Sequence, residues 1–454
     1  MSNKKFLIFI FIFSFLLRAA FFYCFLSKNN NCWVCVDSAE YIDISKNIYE
    51  NKGILKSDGD FNFRRLPGYP IFLSLCYKIC NKESINFALY IQILLSCFIP
   101  ILIFFLTLIL FPNNILLAKL AAIFSSINLG FILHSGLILS ETLFILFFLL
   151  FLIFFYKYLE FFCDKNNFKK IFLAGLFLGI TSLIRPTGLY LLILSILILF
   201  LCANINFVNK LKNIFLFFIS WLIPVLPWLL RNYLLTGFIF LHTLPGIHFL
   251  IYTAAFIDSD INKCEYFESK QKLLNKWQEL IIKNKAENSD IKSCILAENL
   301  ASEYIKKHPL SFIKHSCFQV LKTIFGLNSA TLLFIDSKKL PNYNSGTSIF
   351  DKIKRFLIPN LSNKIFLIFI YLEIIIYFFI LFGFILFLFN YLISFNLIKY
   401  AFLFKTVSFI ILFLFLTLAY GVARLRLPVE PLIIILSFYY WLNKFKIRKL
   451  YCEK

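Results

Sequence analysis

Charge is scarce in this sequence. Only 15% of its 454 residues are Asp, Glu, Lys or Arg, well below the roughly 25% of soluble domains, and this excludes an ordinary soluble fold. Acidic residues are rarer still, 24 against 46 basic ones, leaving a net charge of +22. No glycine-rich loop of Rossmann or P-loop type is present, so a nucleotide-binding chemistry has no sequence support. The two halves of the chain show no internal repeat. The first apolar span, Phe6 to Leu26, has no small-residue cleavage site behind it, so it reads as an uncleaved anchor. Cys32 and Cys35 form a C-x-x-C, but no second pair and no nearby histidine completes a zinc set. A local disulfide and coincidence both remain open for that pair.

What is present is apolar length. Hydrophobic residues make up 60% of the chain, and runs such as Leu143 to Phe155 and Ile365 to Phe389 are nearly all apolar. A helix needs about 20 such residues to cross a hydrocarbon core. The expected fold is an all-α polytopic membrane protein, a bundle of about ten or more transmembrane helices, with interfacial helices in its outer loops. A β-barrel would show short alternating segments instead. The basic excess then belongs to cytoplasmic loops and anionic headgroups rather than to nucleic acid.

Lysine placement sets the parity. With Lys4 and Lys5 inside, the spans run Phe6–Leu26, Phe87–Phe111, Leu116–Leu133, Glu141–Phe155, Ile171–Ile184, Thr187–Leu201, Ile214–Leu230, Ile365–Phe389, Val407–Tyr420 and Pro431–Leu442. Lysines fall on the inner side at almost every turn. Three regions follow: a transmembrane module over 1–257 with a first outer loop at 27–86, an outer helical segment over 258–363, and C-terminal helices over 364–454. A helical stretch from Lys270 to Lys307 reads as a small outer lid.

The same parity collects polar residues on one face: Asp37, Arg64, Arg65, Glu141, Arg185, Arg231, Arg424 and Arg426. The chain has nine arginines, hence 37 lysines, yet its short outer turns use arginine. A planar guanidinium grips phosphate with two parallel bonds, which a lysine cannot do. Several such forks on one face suggest a phosphate-binding site. Glu141 opens an apolar span, where a carboxylate is costly unless paired or functional. Asp37-Ser38-Ala39-Glu40 also has the form of a capping box with Asp37 as N-cap, so both a cap and a catalytic base remain open for Asp37. Tyr41 and Tyr69 lie beside these charges.

The sequence resembles the membrane-embedded GT-C glycosyltransferases, especially the group around protein O-mannosyltransferases and the aminoarabinose transferase of lipid A. The resemblance rests on Asp37-Ser38-x-x-Tyr41, Arg65-Leu66-Pro67-Gly68-Tyr69-Pro70, Ser140-Glu141-Thr142-Leu143-Phe144, Gly175-x-x-x-Gly179 running into Arg185-Pro186-Thr187-Gly188, Pro227-Trp228-x-x-Arg231-Asn232, and Ala423-Arg424-Leu425-Arg426-Leu427-Pro428. It implies transfer of a sugar from a polyprenyl-phosphate donor to an envelope glycolipid, glycan or protein, with inversion, on the outer face of the cell membrane. It implies Asp37 as general base with Glu141 as second acid, and Tyr41, Arg64, Arg65, Tyr69, Arg185, Arg231, Arg424 and Arg426 as substrate contacts. No resident cofactor is implied, although the family leaves room for a divalent metal. Ser38 stands where many mannosyltransferases have Glu, which argues against a protein O-mannosyltransferase proper. A transporter or flippase, and a polymerase or ligase of lipid-linked sugars, are the rival classes.

Overall fold

The computed structural model describes residues 2–26, 35–160, 167–202, 206–287, 289–332, 365–393 and 397–452. Among these, helices account for nearly all regular structure, and a single isolated bridge, Leu55 to Phe61, is the only β pairing. The Cys32 end of the C-x-x-C lies outside the described residues.

The first helix, α1 (Asn3–Phe21), is capped by Ser2 and continues as a wider π turn through Leu26. Next come α2 (Cys35–Tyr49), α3 (Gly68–Cys80), α4 (Ile85–Ser96), α5 (Phe98–Leu110), α6 (Ile115–Ser126) and α7 (Leu129–Ser135). Then follow α8 (Glu141–Glu160), α9 (Asn167–Ile184), α10 (Thr187–Cys202) and α11 (Phe207–Thr236). A helical cluster is built from α12 (Leu244–His248), a π turn Phe249–Ala254, α13 (Ala255–Asn262), α14 (Tyr266–Lys283), α15 (Asp290–Lys307) and α16 (Pro309–Phe325). The chain closes with α17 (Ile365–Ile393), α18 (Leu397–Phe415) and α19 (Glu430–Cys452).

Every expected span has a helix. Among the described residues, five stretches are long and apolar enough to cross a membrane: Asn3–Leu26, Ile85–Leu110, Glu141–Glu160, Phe207–Thr236 and Ile365–Ile393. A sixth arises if α6 and α7, bent by 51° at their junction, form one broken span. Thr187–Leu201 and Tyr400–Phe415 are shorter apolar helices. The helical stretch expected from Lys270 to Lys307 is made of two helices, α14 and α15. Asn284 closes the first, and Ser289 caps the second by accepting from the Lys292 N–H. Folding back lets Leu273 of α14 and Ala297, Leu300 and Ala301 of α15 bury against Leu250 and Ala254. One straight helix would leave those apolar faces in water.

The bundle core is α8, buried on nearly all sides by α4, α5, α7, α9 and the turn after α18. Its neighbour α9 packs against α11 through two glycines. A Cβ at Gly175 would lie 1.9 Å from Ser220 Oγ, and one at Gly179 would lie 2.4 Å from the Trp221 carbonyl. Small residues four apart let two helix backbones approach closely in an apolar medium. This contact fixes where the end of α9 delivers Arg185. The start of α3 is seated in the same way, because a Cβ at Gly68 would lie 2.8 Å from the Leu183 carbonyl. The Gly175→Leu variant should therefore lose about 1–3 kcal/mol or fail to assemble. Thermal unfolding in detergent reads this directly, and a melting temperature equal to the parent's would show that α9 and α11 do not meet as described.

Candidate active site

The loop between α2 and α3 is held before any ligand is considered. Asn62 Oδ1 accepts the N–H groups of Arg64 and Arg65, and its Nδ2 donates to the Arg65 carbonyl at 2.7 Å. Arg231 pins the same loop to α11. Its Nη1 donates to the Asn62 carbonyl at 3.2 Å and to Asn232 Oδ1 at 2.9 Å, and its Nη2 donates to the Ile54 carbonyl at 3.0 Å. The guanidinium also stacks on Trp228, 4.6 Å from the ring centroid. These contacts commit Arg231 to the scaffold rather than to an open site.

A second hub seats Glu141. Gln92 of α4, fully buried, donates to the carbonyls of Ser135 and Leu137 at 2.9 and 2.8 Å, and accepts from Tyr69 Oη at 2.8 Å. Ser38 Oγ donates to the Ile138 carbonyl at 3.0 Å, and Thr142 Oγ1 donates to the His134 carbonyl at 3.0 Å. The turn between α7 and α8 is thereby tied at four carbonyls, and Glu141 emerges from it at the start of α8. Tyr69 thus faces a buried amide, not the charge cluster. Its ring meets Tyr41 edge-on at 4.9 Å, and Arg65 lies 5.4 Å over the Tyr41 ring.

On this frame the charges converge. Arg65 Nη2 donates to Asp37 Oδ1 at 2.7 Å, and its Nε bonds Glu40. Arg64 lies 3.3 Å from Glu40. Arg424 Nη2 donates to Asp37 Oδ2 at 3.0 Å, while its Nε lies 3.9 Å from Glu141 Oε1. Arg185 Nη1 reaches Glu141 Oε1 at 2.9 Å. Four guanidiniums thus face three carboxylates, and the cluster keeps a surplus of one positive charge. Burial alone would push the Asp37 carboxyl up, but Arg424 and Arg65 outweigh it and hold the group down at about 2. Asp37 lies inside the first turn of α2, and both its oxygens point at arginines. The side chain is engaged across the chain and does not serve as the N-cap.

Arg426 lies only two residues beyond Arg424 but goes the other way. It is 1% exposed. Its Nη1 donates to the carbonyls of Thr323, Ile324 and Gly326, its Nε donates to Glu430 Oε1 at 3.0 Å, and its carbon lies 4.0 Å from the Tyr377 ring centroid. Those carbonyls end α16, where helical partners run out. Of the ten residues singled out from sequence, Asp37, Tyr41, Arg64, Arg65, Glu141, Arg185 and Arg424 come together. Tyr69, Arg231 and Arg426 brace the walls.

Sequence reasoning missed several members. Glu40 binds both Arg64 and Arg65, although the capping-box pattern gives it only a local role. Gln92 had no signal beyond being a lone amide in an apolar run. The helical cluster also contributes an aromatic rim. The Tyr252 and Tyr420 rings lie 4.4 Å apart, and His248 lies 5.5 Å from Tyr252. Tyr252 is close enough to feel the charges of Asp37, Arg424 and Arg64. Partial burial, then the charges of Arg65 and Arg64, lower His248 to about 4, so it is neutral near pH 7.

A divalent ion would compete with the arginines for these carboxylates. Asp37 Oδ1, Asp37 Oδ2 and Glu141 Oε1 each face a guanidinium, whereas Glu141 Oε2 has no hydrogen-bond partner. Among the described residues no group of three or more His, Cys, Asp or Glu side chains converges as a metal site.

Two stability predictions separate the two classes of arginine and the state of Asp37. Arg426→Met strands the buried Glu430, so unfolding should cost about 3–5 kcal/mol less than in the parent; a variant as stable as the parent would remove Arg426 from the scaffold. Because the folded Asp37 carboxyl is depressed, its stabilisation is complete above about pH 4 and is lost as pH falls towards 2. Asp37→Asn should therefore lower the melting temperature in detergent at pH 7 but hardly at pH 2. An equal drop at both values would show that the carboxylate charge is irrelevant to folding.

No family model matches this sequence, and no curated protein matches it by sequence. Solved structures do match in fold. The archaeal oligosaccharyltransferase AglB from Archaeoglobus fulgidus, in complex with an inhibitory peptide and a dolichol-phosphate, aligns over 99% of this chain at 12% identity with a TM-score of 0.55. The Archaeoglobus fulgidus oligosaccharyltransferase tethered with an acceptor peptide containing the NVT sequon aligns over 99% of this chain at 14% identity, also at 0.55. This chain spans about half the length of those proteins, 51% and 50% respectively. ArnT from Cupriavidus metallidurans bound to undecaprenyl phosphate aligns over 98% of this chain and 79% of its own at 10% identity, but its TM-score of 0.40 is too low to argue from. The chain therefore shares its fold with about half the length of the archaeal oligosaccharyltransferase.

Proposed function

We propose that this protein transfers a sugar from a polyprenyl-phosphate donor to a lipid, glycan or protein hydroxyl at the outer face of the cell membrane. The observation that carries the reading is the cluster of Asp37, Arg65, Arg424, Glu141 and Arg185 at one end of an apolar bundle. Its surplus positive charge suits an anionic leaving group, and its place beside apolar helices suits a leaving group with a lipid tail. The dolichol-phosphate bound by the archaeal oligosaccharyltransferase is a ligand of the same chemical kind.

The chemistry follows from competition for guanidiniums. In the resting cluster Asp37 is a weak base, because Arg424 and Arg65 hold its pKa near 2. A donor phosphodiester carries one negative charge over two free oxygens and competes with Asp37 for the same arginines. As Arg424 turns to the phosphate, Asp37 loses part of its pairing and its basicity rises towards the range useful for proton abstraction. An acceptor hydroxyl beside it then loses its proton to Asp37 as the oxygen attacks the anomeric carbon. The C–O bond to phosphate breaks, and the arginines receive the charge that develops on the leaving oxygen. Attack from the face opposite the phosphate inverts the anomeric carbon. Glu141 holds Arg185 and Arg424 in place, and its Oε2 has no hydrogen-bond partner, so it is the second carboxylate offered to substrate.

The polarity of the cluster argues against a transporter, whose polar groups lie near the midplane on broken helices. The experiment is an assay in detergent with a short-chain polyprenyl-phosphate sugar. Asp37→Asn should keep the fold at pH 7 and cut turnover by about 10² or more. Arg424→Lys keeps the charge but loses the fork. It should lower turnover, with donor affinity falling first if the contact already exists in the ground state. Arg231→Lys should affect the two less than it affects stability. Full turnover in both Asp37→Asn and Arg424→Lys would sink the transferase reading of this cluster.

A further inference from the structure

On the far side of the Arg424 to Arg426 turn lies a cleft of about 480 Å³. Leu17, Phe21, Leu129, Phe369, Leu372 and Ile376 make its walls, and Ala20, Cys24 and Leu372 leave it open on the flank of the bundle. One end is polar. Glu373, only 7% exposed, accepts from the N–H groups of Asn328 and Ser329 at 2.7 and 2.8 Å. Glu430, 2% exposed, accepts from Arg426 Nε at 3.0 Å and Asn128 Nδ2 at 2.8 Å. Asn328 is 3% exposed, and its Oδ1 has no donor.

The balance of donors and acceptors decides what fits. Two carboxyl groups face one guanidinium, and Arg426 directs its Nη1 at backbone carbonyls, away from the cleft. Tyr377 Oη is used on the Ile324 carbonyl. What remains are acceptor lone pairs on Glu373, Glu430 and Asn328 Oδ1, against one donor without an acceptor, Arg426 Nη2, and the two carboxyl groups still outnumber the single guanidinium. A buried acceptor without a donor costs about 1–3 kcal/mol, so an occupant that brings N–H groups is favoured. A phosphate brings only acceptors and negative charge, and is opposed.

We propose that this cleft binds a second amphiphile, an apolar tail carrying an ammonium head, with the head on Glu373 and Asn328 Oδ1 and the tail along α1 and α17. The site is separate from the arginine cluster and selects the opposite head chemistry. It does not depend on the transfer reaction.

The test uses the full chain in detergent micelles and three photoreactive probes with the same hexadecyl tail: an amine, an alcohol and a phosphate monoester. Crosslinks are mapped by peptide mass spectrometry, with Cys24 as a thiol at the mouth that maleimide can report. The amine should label the α1 and α17 walls at least about tenfold more than the phosphate and should shield Cys24, with the alcohol between them. Asn328→Leu should shrink that preference. Ala20→Trp, at an exposed position, should block all three probes without disturbing the fold. Equal labelling by all three would mean tail partition only and overturn the proposal, as would a preference for the phosphate. Labelling that survives Ala20→Trp would place the probes elsewhere and overturn it too.

Discussion

Asp37 is gripped from two sides by arginines that the sequence places far apart. Arg65 comes from the loop after its own helix, and Arg424 comes from a turn 387 residues away. Arg65 also bonds Glu40 and Arg424 also approaches Glu141, so the carboxylates and their cations hold one another as a network. The pairing therefore ties the N-terminal loop to the C-terminal helices. Glu141, 2% exposed at the head of the central helix, extends the tie to Arg185. Most of the architecture around it serves to deliver these five side chains: glycine contacts set α9, Gln92 sets the turn before α8, and Asn62 with Arg231 sets the loop.

The arginines divide by what surrounds them. Those of the cluster keep part of their surface open, 45% for the Arg64 side chain and 30% for Arg424, and can exchange a protein carboxylate for a ligand. Arg231 and Arg426 satisfy main-chain carbonyls where helices or loops end, and a lysine could not span such sets. Arg18 is a third kind. It is fully buried within α1, and its Nη1 donates to the carbonyls of Ser14 and Ser126 at 3.3 Å, with no acid paired to it among the described residues. The same residue type thus serves as reactive surface, as helix cap and as a brace between spans, because one planar fork can meet a carboxylate, a phosphate or several carbonyls.

The turn at 423–429 separates two chemistries. Short 3₁₀ segments there send Arg424 to Asp37 and Arg426 to Glu430. One side presents surplus cations at the proposed donor site. The other presents surplus acceptors to the flank cleft. A lipid phosphate and an ammonium would each find a matching environment on only one of them.

The helical spans, their order and the gathering of Asp37, Glu141, Arg185 and Arg424 were legible in the sequence. Apolar length and lysine parity are local properties, and burying a charge in lipid is costly enough to leave a pattern. The glycine spacing in α9 entered the sequence reading only as part of a family motif, and the close helix contact it makes emerged with the fold. Several things were not legible. Arg424 and Arg426 sit in the same motif and carry the same charge, yet only the 3₁₀ turn and the end of α16 assign them to different partners. Glu40 looked like half of a capping box until Arg64 and Arg65 folded over it. Gln92 and the Tyr252–Tyr420 rim depend on contacts between distant segments, and no local pattern records those. The sequence by itself determined that the chain enters a membrane and which residues are too polar to be there idly. Tertiary structure alone decided which guanidinium meets which oxygen, because that choice depends on helix packing distances of a few ångströms that hydrophobic periodicity does not encode.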